Sequence, residues 1–110
     1  MGHQAIAWLL LVASILAEVI GTVALRYTDG FTRPLPSLLT GACYACAIWW
    51  MAVAVRHLEV GLTYAIWAGC GTALTALVGI LWFGESAGVL RLAGLGMIVG
   101  GVVALNLSER

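Results

Sequence analysis

The sequence predicts an all-α integral membrane protein of four transmembrane helices, and three observations predict it. Of 110 residues, 63% are hydrophobic and 9% are charged, more apolar surface than a water-soluble domain of this length covers. The apolar residues fall into four runs, each close to the roughly 20 residues that a helix needs to cross a ~30 Å hydrocarbon core. The breaks between runs are short, so residues 1–110 form a single transmembrane domain with no linker, repeat or low-complexity segment.

Helix one is predicted over 5–25. It is not read as a secretory signal, because Met1-Gly-His-Gln gives no basic start and the apolar run is too long. Near its middle stands Glu18, with no Lys, Arg or His within two turns. A charge at that depth costs at least roughly 3 kcal/mol, and an intramembrane carboxylate marks a functional site by default. Ser14, Glu18, Gly21 and Thr22 fall one turn apart and give an otherwise apolar helix one small, polar stripe. Glu18 is the centre of the expected site, with Ser14 and Thr22 beside it.

A loop from Tyr27 to Pro34 follows, marked by Asp29-Gly30 and by a proline that cannot continue a helix. Helix two is predicted over 35–55, with Pro36 and Ser37 suited to its first turn. Tyr44 sits near its middle, too deep for the aromatic belt at a membrane surface. A buried tyrosine hydroxyl needs a partner, and Glu18 is the expected one. After Arg56-His-Leu-Glu59, helix three is predicted over 60–83. Tyr64, Trp67, Ala68 and Gly71 share one face of it, and aromatic faces bind cations most strongly when desolvated. Gly69 and Gly71 weaken the helix there and are read as a bend. Helix four is predicted over 89–107. Its Gly94, Gly96, Gly100 and Gly101 would let a second helix approach closely and are read as a homodimer seam.

Orientation is weakly specified. Cytoplasmic loops normally carry the excess of Lys and Arg. Here one side has Arg56 and Arg110, and the other has Arg26, Arg33 and Arg91. So even a count predicts insertion in both directions, and hence antiparallel partners. A chain oriented by other features is the alternative.

Several patterns carry no chemistry. The formal net charge is +0, which leaves no basic footprint for nucleic acid. Cys43, Cys46 and Cys70 lie within helices and read as small hydrophobes. Gly84-Glu-Ser-Ala-Gly88 matches a nucleophile motif but lacks the strand and the His–acid pair that motif needs. Asp29, Glu59, Glu85 and Glu109 read as solvated ends. His3 and His57, far apart in sequence, suggest no metal site. No metal, no cofactor other than the proton and no enzymatic activity are expected.

Taken together, these residues resemble the small multidrug resistance family of transporters over nearly the whole chain. Ala17-Glu-Val-Ile-Gly-Thr22 is similar to its first-helix signature, Gly30-Phe-Thr-Arg33 to its loop motif and Tyr64-Ala-Ile-Trp67-x-Gly69 to its third-helix motif. The resemblance implies an antiparallel, dual-topology homodimer in the bacterial cytoplasmic membrane. It would exchange protons for cationic compounds at a site shared by two copies of Glu18. Tyr44, Tyr64 and Trp67 look like the aromatic box of the branch that exports quaternary ammonium and other lipophilic cations. The guanidinium-exporting branch usually has Trp where this chain has Gly21, so guanidinium export is the alternative substrate reading. Ser14, Arg26 and Glu59 depart from the family pattern. Outside transport, a non-transporting or lipid-handling membrane subunit is the rival, and it would not need Glu18.

Overall fold

A computed structural model describes residues 2–108 of the chain. Glu109, read above as a solvated end, and Arg110, counted above for orientation, lie outside the described residues. There are four helices, α1 (His3–Tyr27), α2 (Pro34–Ala54), α3 (Val60–Trp82) and α4 (Val89–Ser108), and each is long and apolar enough to cross a membrane. Within a bilayer only such a helix satisfies its own backbone polar groups. The element count and order match the expectation, and the ends move by two residues or fewer.

The differences at the ends have local causes. α1 runs to Tyr27 instead of stopping near residue 25 because Thr28 closes it. The Thr28 hydroxyl donates to the Leu25 carbonyl at 2.7 Å and accepts the Phe31 N–H at 3.2 Å. The Thr28 carbonyl accepts the N–H groups of Thr32 and Arg33. Around this buried threonine the chain turns through three successive left-handed residues, Asp29, Gly30 and Phe31, with φ of 49°, 69° and 65°. Pro34, expected in the loop, is the first residue of α2. Its ring holds a helical φ, and the N–H it lacks would have had no helical partner there. After α3, Gly84 takes φ 67° and the Glu85 N–H returns to the Gly79 carbonyl at 3.0 Å.

α1 is the centre of the bundle. Ala7, Leu11, Ile15 and Val19 recur every fourth residue and are buried with Ala54, Leu58 and Ile66. α1 packs against both α2 and α3, while α4 packs along α3. α4 has no buried residue. Leu90 is 87% exposed and Met97 77%, so its outer face awaits lipid or another protein. The four seam glycines meet nothing within this chain, since a Cβ at Gly94, Gly96, Gly100 or Gly101 would find no atom within 4 Å. Gly69 lies inside an unbroken α3 at the close approach of α4, where an added Cβ would stand 2.6 Å from Val102 Cγ2.

The fold also brings His3 and His57 together, against the sequence reading. Their rings stack with centroids 5.1 Å apart, because α1 begins where α2 ends. Among the described residues no group of three His, Cys, Asp or Glu side chains is placed to hold a metal.

Gly69→Val is expected to destabilise the protein by about 1–3 kcal/mol through overpacking between α3 and α4. Thermal unfolding in detergent measures it. Gly100→Ala meets nothing in one chain, so a loss of stability in that variant would report contact with a second copy.

Candidate functional site

Ser14, Glu18, Thr22 and Arg26 recur at helical spacing along one face of α1. Trp67, Gly71, Thr75 and Gly79 do the same on α3. The two series meet at two rungs, Ser14 with Trp67 and Glu18 with Gly71, and line a cavity beyond them.

At the first rung the Trp67 indole N–H donates to the Ser14 hydroxyl at 3.0 Å, and that hydroxyl donates to the Ala47 carbonyl of α2 at 2.6 Å. Ser14 is fully buried. Its hydroxyl gives its one proton to α2 and accepts from α3, so in this chain it holds Trp67. Trp67 in turn packs beside Tyr64, with centroids 5.8 Å apart and planes at 40°. Tyr64 is 58% exposed and faces out of the bundle.

At the second rung Glu18 reaches across to Gly71. A Cβ on Gly71 would stand 2.7 Å from Glu18 Oε2. The sequence reading made Gly71 part of a bend; in the structure it is the seat of the carboxylate. Glu18 Oε2 is shut from solvent and has no hydrogen-bond partner among the described residues. Its other oxygen accepts a long bond, 3.4 Å, from the Thr22 hydroxyl. Tyr44 does not touch Glu18 as expected. Its hydroxyl lies 2.7 Å from Thr22 Oγ1, so threonine stands between phenol and carboxylate. The Tyr44 ring fills the space that a side chain at position 21 would need, since a Cβ on Gly21 would stand 2.8 Å from Tyr44 Cε1.

Beyond these rungs the helices part around an open cavity of about 450 Å³, lined among others by Glu18, Thr22, Thr72, Thr75, Arg26 and Glu85. Arg26 stands at its outer end, 3.9 Å from a Glu85 oxygen and with its guanidinium carbon 4.8 Å from the Phe83 ring centre. Glu85 is an exposed loop residue, as expected, and it also reaches back to this cavity. Its carboxylate lies against Gly79, where no side chain blocks it. Both members of the pair are about half exposed, so the pair adds little to stability.

The structure thus joins Glu18 and Thr22 to a cavity and attaches Tyr44 to them. It leaves Ser14, Tyr44, Tyr64 and Trp67 outside the cavity wall of a single chain. Sequence reasoning missed Thr72, Thr75, Gly79, Arg26 and Glu85. Extending the stripe of α1 by one more turn, and reading residues 71, 75 and 79 of α3 as its counterpart, would have found most of them.

Comparison with known proteins gives matches along nearly the whole chain. The profile of the family described as Small Multidrug Resistance protein matches residues 6–98. A protein of Citrobacter freundii named guanidinium exporter is 44% identical over 102 residues, covering 93% of this chain and 97% of its own length. Its namesake in Yersinia pestis is 40% identical over 103 residues, covering 94% and 99%. An uncharacterized membrane protein of Bacillus subtilis, YvaE, is 38% identical over 102 residues, covering 93% and 86%.

Ser14→Ala is expected to leave the Trp67 N–H without its partner, at a cost of about 1–3 kcal/mol. A lower unfolding midpoint together with altered tryptophan fluorescence would show it. Gly71→Ala, by contrast, should displace the Glu18 carboxylate, and a shift of its carboxyl infrared band would show it.

Proposed function

The chain belongs to the small multidrug resistance family, and from that premise we propose that it exports small organic cations in exchange for protons at Glu18. One observation carries the reading. Glu18 Oε2 is enclosed beside the cavity with no hydrogen-bond partner among the described residues. A carboxylate in that position is stabilised either by a proton or by a cation that reaches it. A single group serving both ligands binds them in competition, and competition is what couples an outward cation to an inward proton. The working unit is an antiparallel homodimer in a bacterial cytoplasmic membrane, two copies of Glu18 sharing one site. The uncovered α4, its four glycines and the near-even arginine count support it.

For the substrate, guanidinium-type cations come first. The similar proteins of Citrobacter freundii and Yersinia pestis carry the name guanidinium exporter, and a planar guanidinium matches a carboxylate with two parallel hydrogen bonds. A second reading, lipophilic quaternary ammonium cations, is favoured by the Tyr44 ring packed over Gly21. That pairing puts an aromatic face beside the Thr22–Glu18 chain, where a cation without N–H donors gains from the ring.

Liposomes with an imposed proton gradient separate these readings. The purified protein should accumulate guanidinium, and Glu18→Gln should insert normally yet accumulate nothing. Accumulation of tetraphenylphosphonium in place of guanidinium would favour the second reading, and transport retained by Glu18→Gln would overturn both. Reporters fused to the C-terminus should be active on both sides of the membrane. A single orientation would overturn the antiparallel pair.

A further inference from the structure

Two of the side-chain oxygens enclosed without a hydrogen-bond partner among the described residues, Glu18 Oε2 on α1 and Thr75 Oγ1 on α3, belong to residues that line the same cavity. An unsatisfied buried polar atom costs about 1–3 kcal/mol, so two of them on one cavity need an account. Thr75 lies one turn beyond Gly71, the seat of Glu18, and one turn before Gly79, the seat of Glu85. Thr22 and Thr72 line the same cavity. Gly71 and Gly79 are eight residues apart, which on a helix is about 12 Å. A polar track of threonine hydroxyls therefore leads from one carboxylate to the other. The cavity beside it, about 450 Å³, has room for several waters at roughly 30 Å³ each.

We propose that this track is the proton route of Glu18 and that Glu85 is its outer proton-exchanging site. The proposal rests on the reading of Glu18 as the group that exchanges protons for cations. A proton leaving Glu18 Oε2 passes to a water in the track. Each water or hydroxyl along it accepts one proton and gives up another, and the last hands its proton to a Glu85 oxygen or to bulk water. Glu18 is left as the carboxylate, and no other reactant is needed. Arg26, 3.9 Å from Glu85, is the charge that faces this outer carboxylate from α1. Arg91 of α4 donates to the Ser86 carbonyl at 2.8 Å on the adjoining residue of the same turn. When Glu85 takes up a proton, Arg26 is released from it and retains the Phe83 ring as a contact, 4.8 Å away. Arg26 thus sets a positive charge at the mouth of the track, and the Glu85 carboxylate beside it offsets that charge for a proton passing along the waters.

Three substitutions test this without touching Glu18. Thr75→Val keeps the shape and removes the hydroxyl. Glu85→Gln keeps the size and removes the exchangeable proton, and Glu85→Asp restores it. The full-length protein in liposomes is given a rapid pH jump without substrate, and the carboxyl infrared band of Glu18 is followed. That band is assigned by its loss in Glu18→Gln. Thr75→Val and Glu85→Gln should slow protonation of Glu18 about tenfold or more, equivalent to ~1.4 kcal/mol of barrier, and Glu85→Asp should recover most of the rate. Guanidinium association, measured at alkaline pH, should be slowed far less than protonation in all three. Protonation at the native rate in both Thr75→Val and Glu85→Gln would overturn the route. So would an equal slowing of guanidinium association, since the track would then carry substrate. If no band disappears in Glu18→Gln, the exchange reading of Glu18 fails instead, and the two failures are distinct.

Discussion

Ser14 lies where α1, α2 and α3 meet, and its hydroxyl ties all three together. It donates to a backbone carbonyl of α2 and accepts the indole N–H of α3. In a bilayer the hydrophobic effect does not draw helices together, so close packing and hydrogen bonds of this kind set their positions. Once the Ser14–Trp67 rung is fixed, the next turn follows: Glu18 meets position 71, and beyond it the two helices flank the cavity. Gly71 and Gly79 then accept the two carboxylates, because neither has a side chain in the way.

How much of this was legible follows from what a single sequence encodes. The four helices were legible because each is a long apolar run ended by Gly, Pro and charge. Glu18 was legible because one carboxylate among leucines and valines is costly wherever the helix lies. Periodicity, however, tells which residues share a face of one helix, and it says nothing of which face meets which. Tyr44 was accordingly assigned to Glu18 when its hydroxyl meets Thr22, and the bond from Trp67 to Ser14 was not foreseen. Glu85 was set aside as a loop residue because its pairing with Arg26 depends on the chain folding back at Gly84. The Gly69–Gly71 pair illustrates the same gap. Spacing suggested flexibility, whereas each glycine marks a place where another helix comes near, Val102 of α4 at one and Glu18 of α1 at the other.

The distribution of burial is uneven in a way that matches membrane life. α1 has seven buried residues and α4 has none. A water-soluble bundle would have to cover such a helix, since apolar surface in water is unfavourable in proportion to its area. Lipid removes that demand, so a helix lying on one neighbour is stable enough to stay and free enough to accept a second surface. The polar atoms are arranged the other way round. Threonines, the carboxylates and Arg26 are gathered between α1 and α3, where the outer end of the cavity opens beside the Gly84 turn.

The contact of Tyr44 with Gly21 also sets the order in which this site can change by mutation. A Cβ at position 21 would collide with the tyrosine ring and crowd Cys43, whose Cβ would be 3.1 Å away. A large residue cannot enter at 21 first without displacing that ring and with it the hydroxyl that binds Thr22. Replacement of Tyr44 by a smaller residue opens the space, after which position 21 is free to enlarge. The two positions are therefore coupled, and substitutions there are expected to be non-additive, as for any pair of side chains in direct contact. A lineage that passes from one filling of this space to the other does so through position 44, by way of a protein with an open pocket beside Glu18.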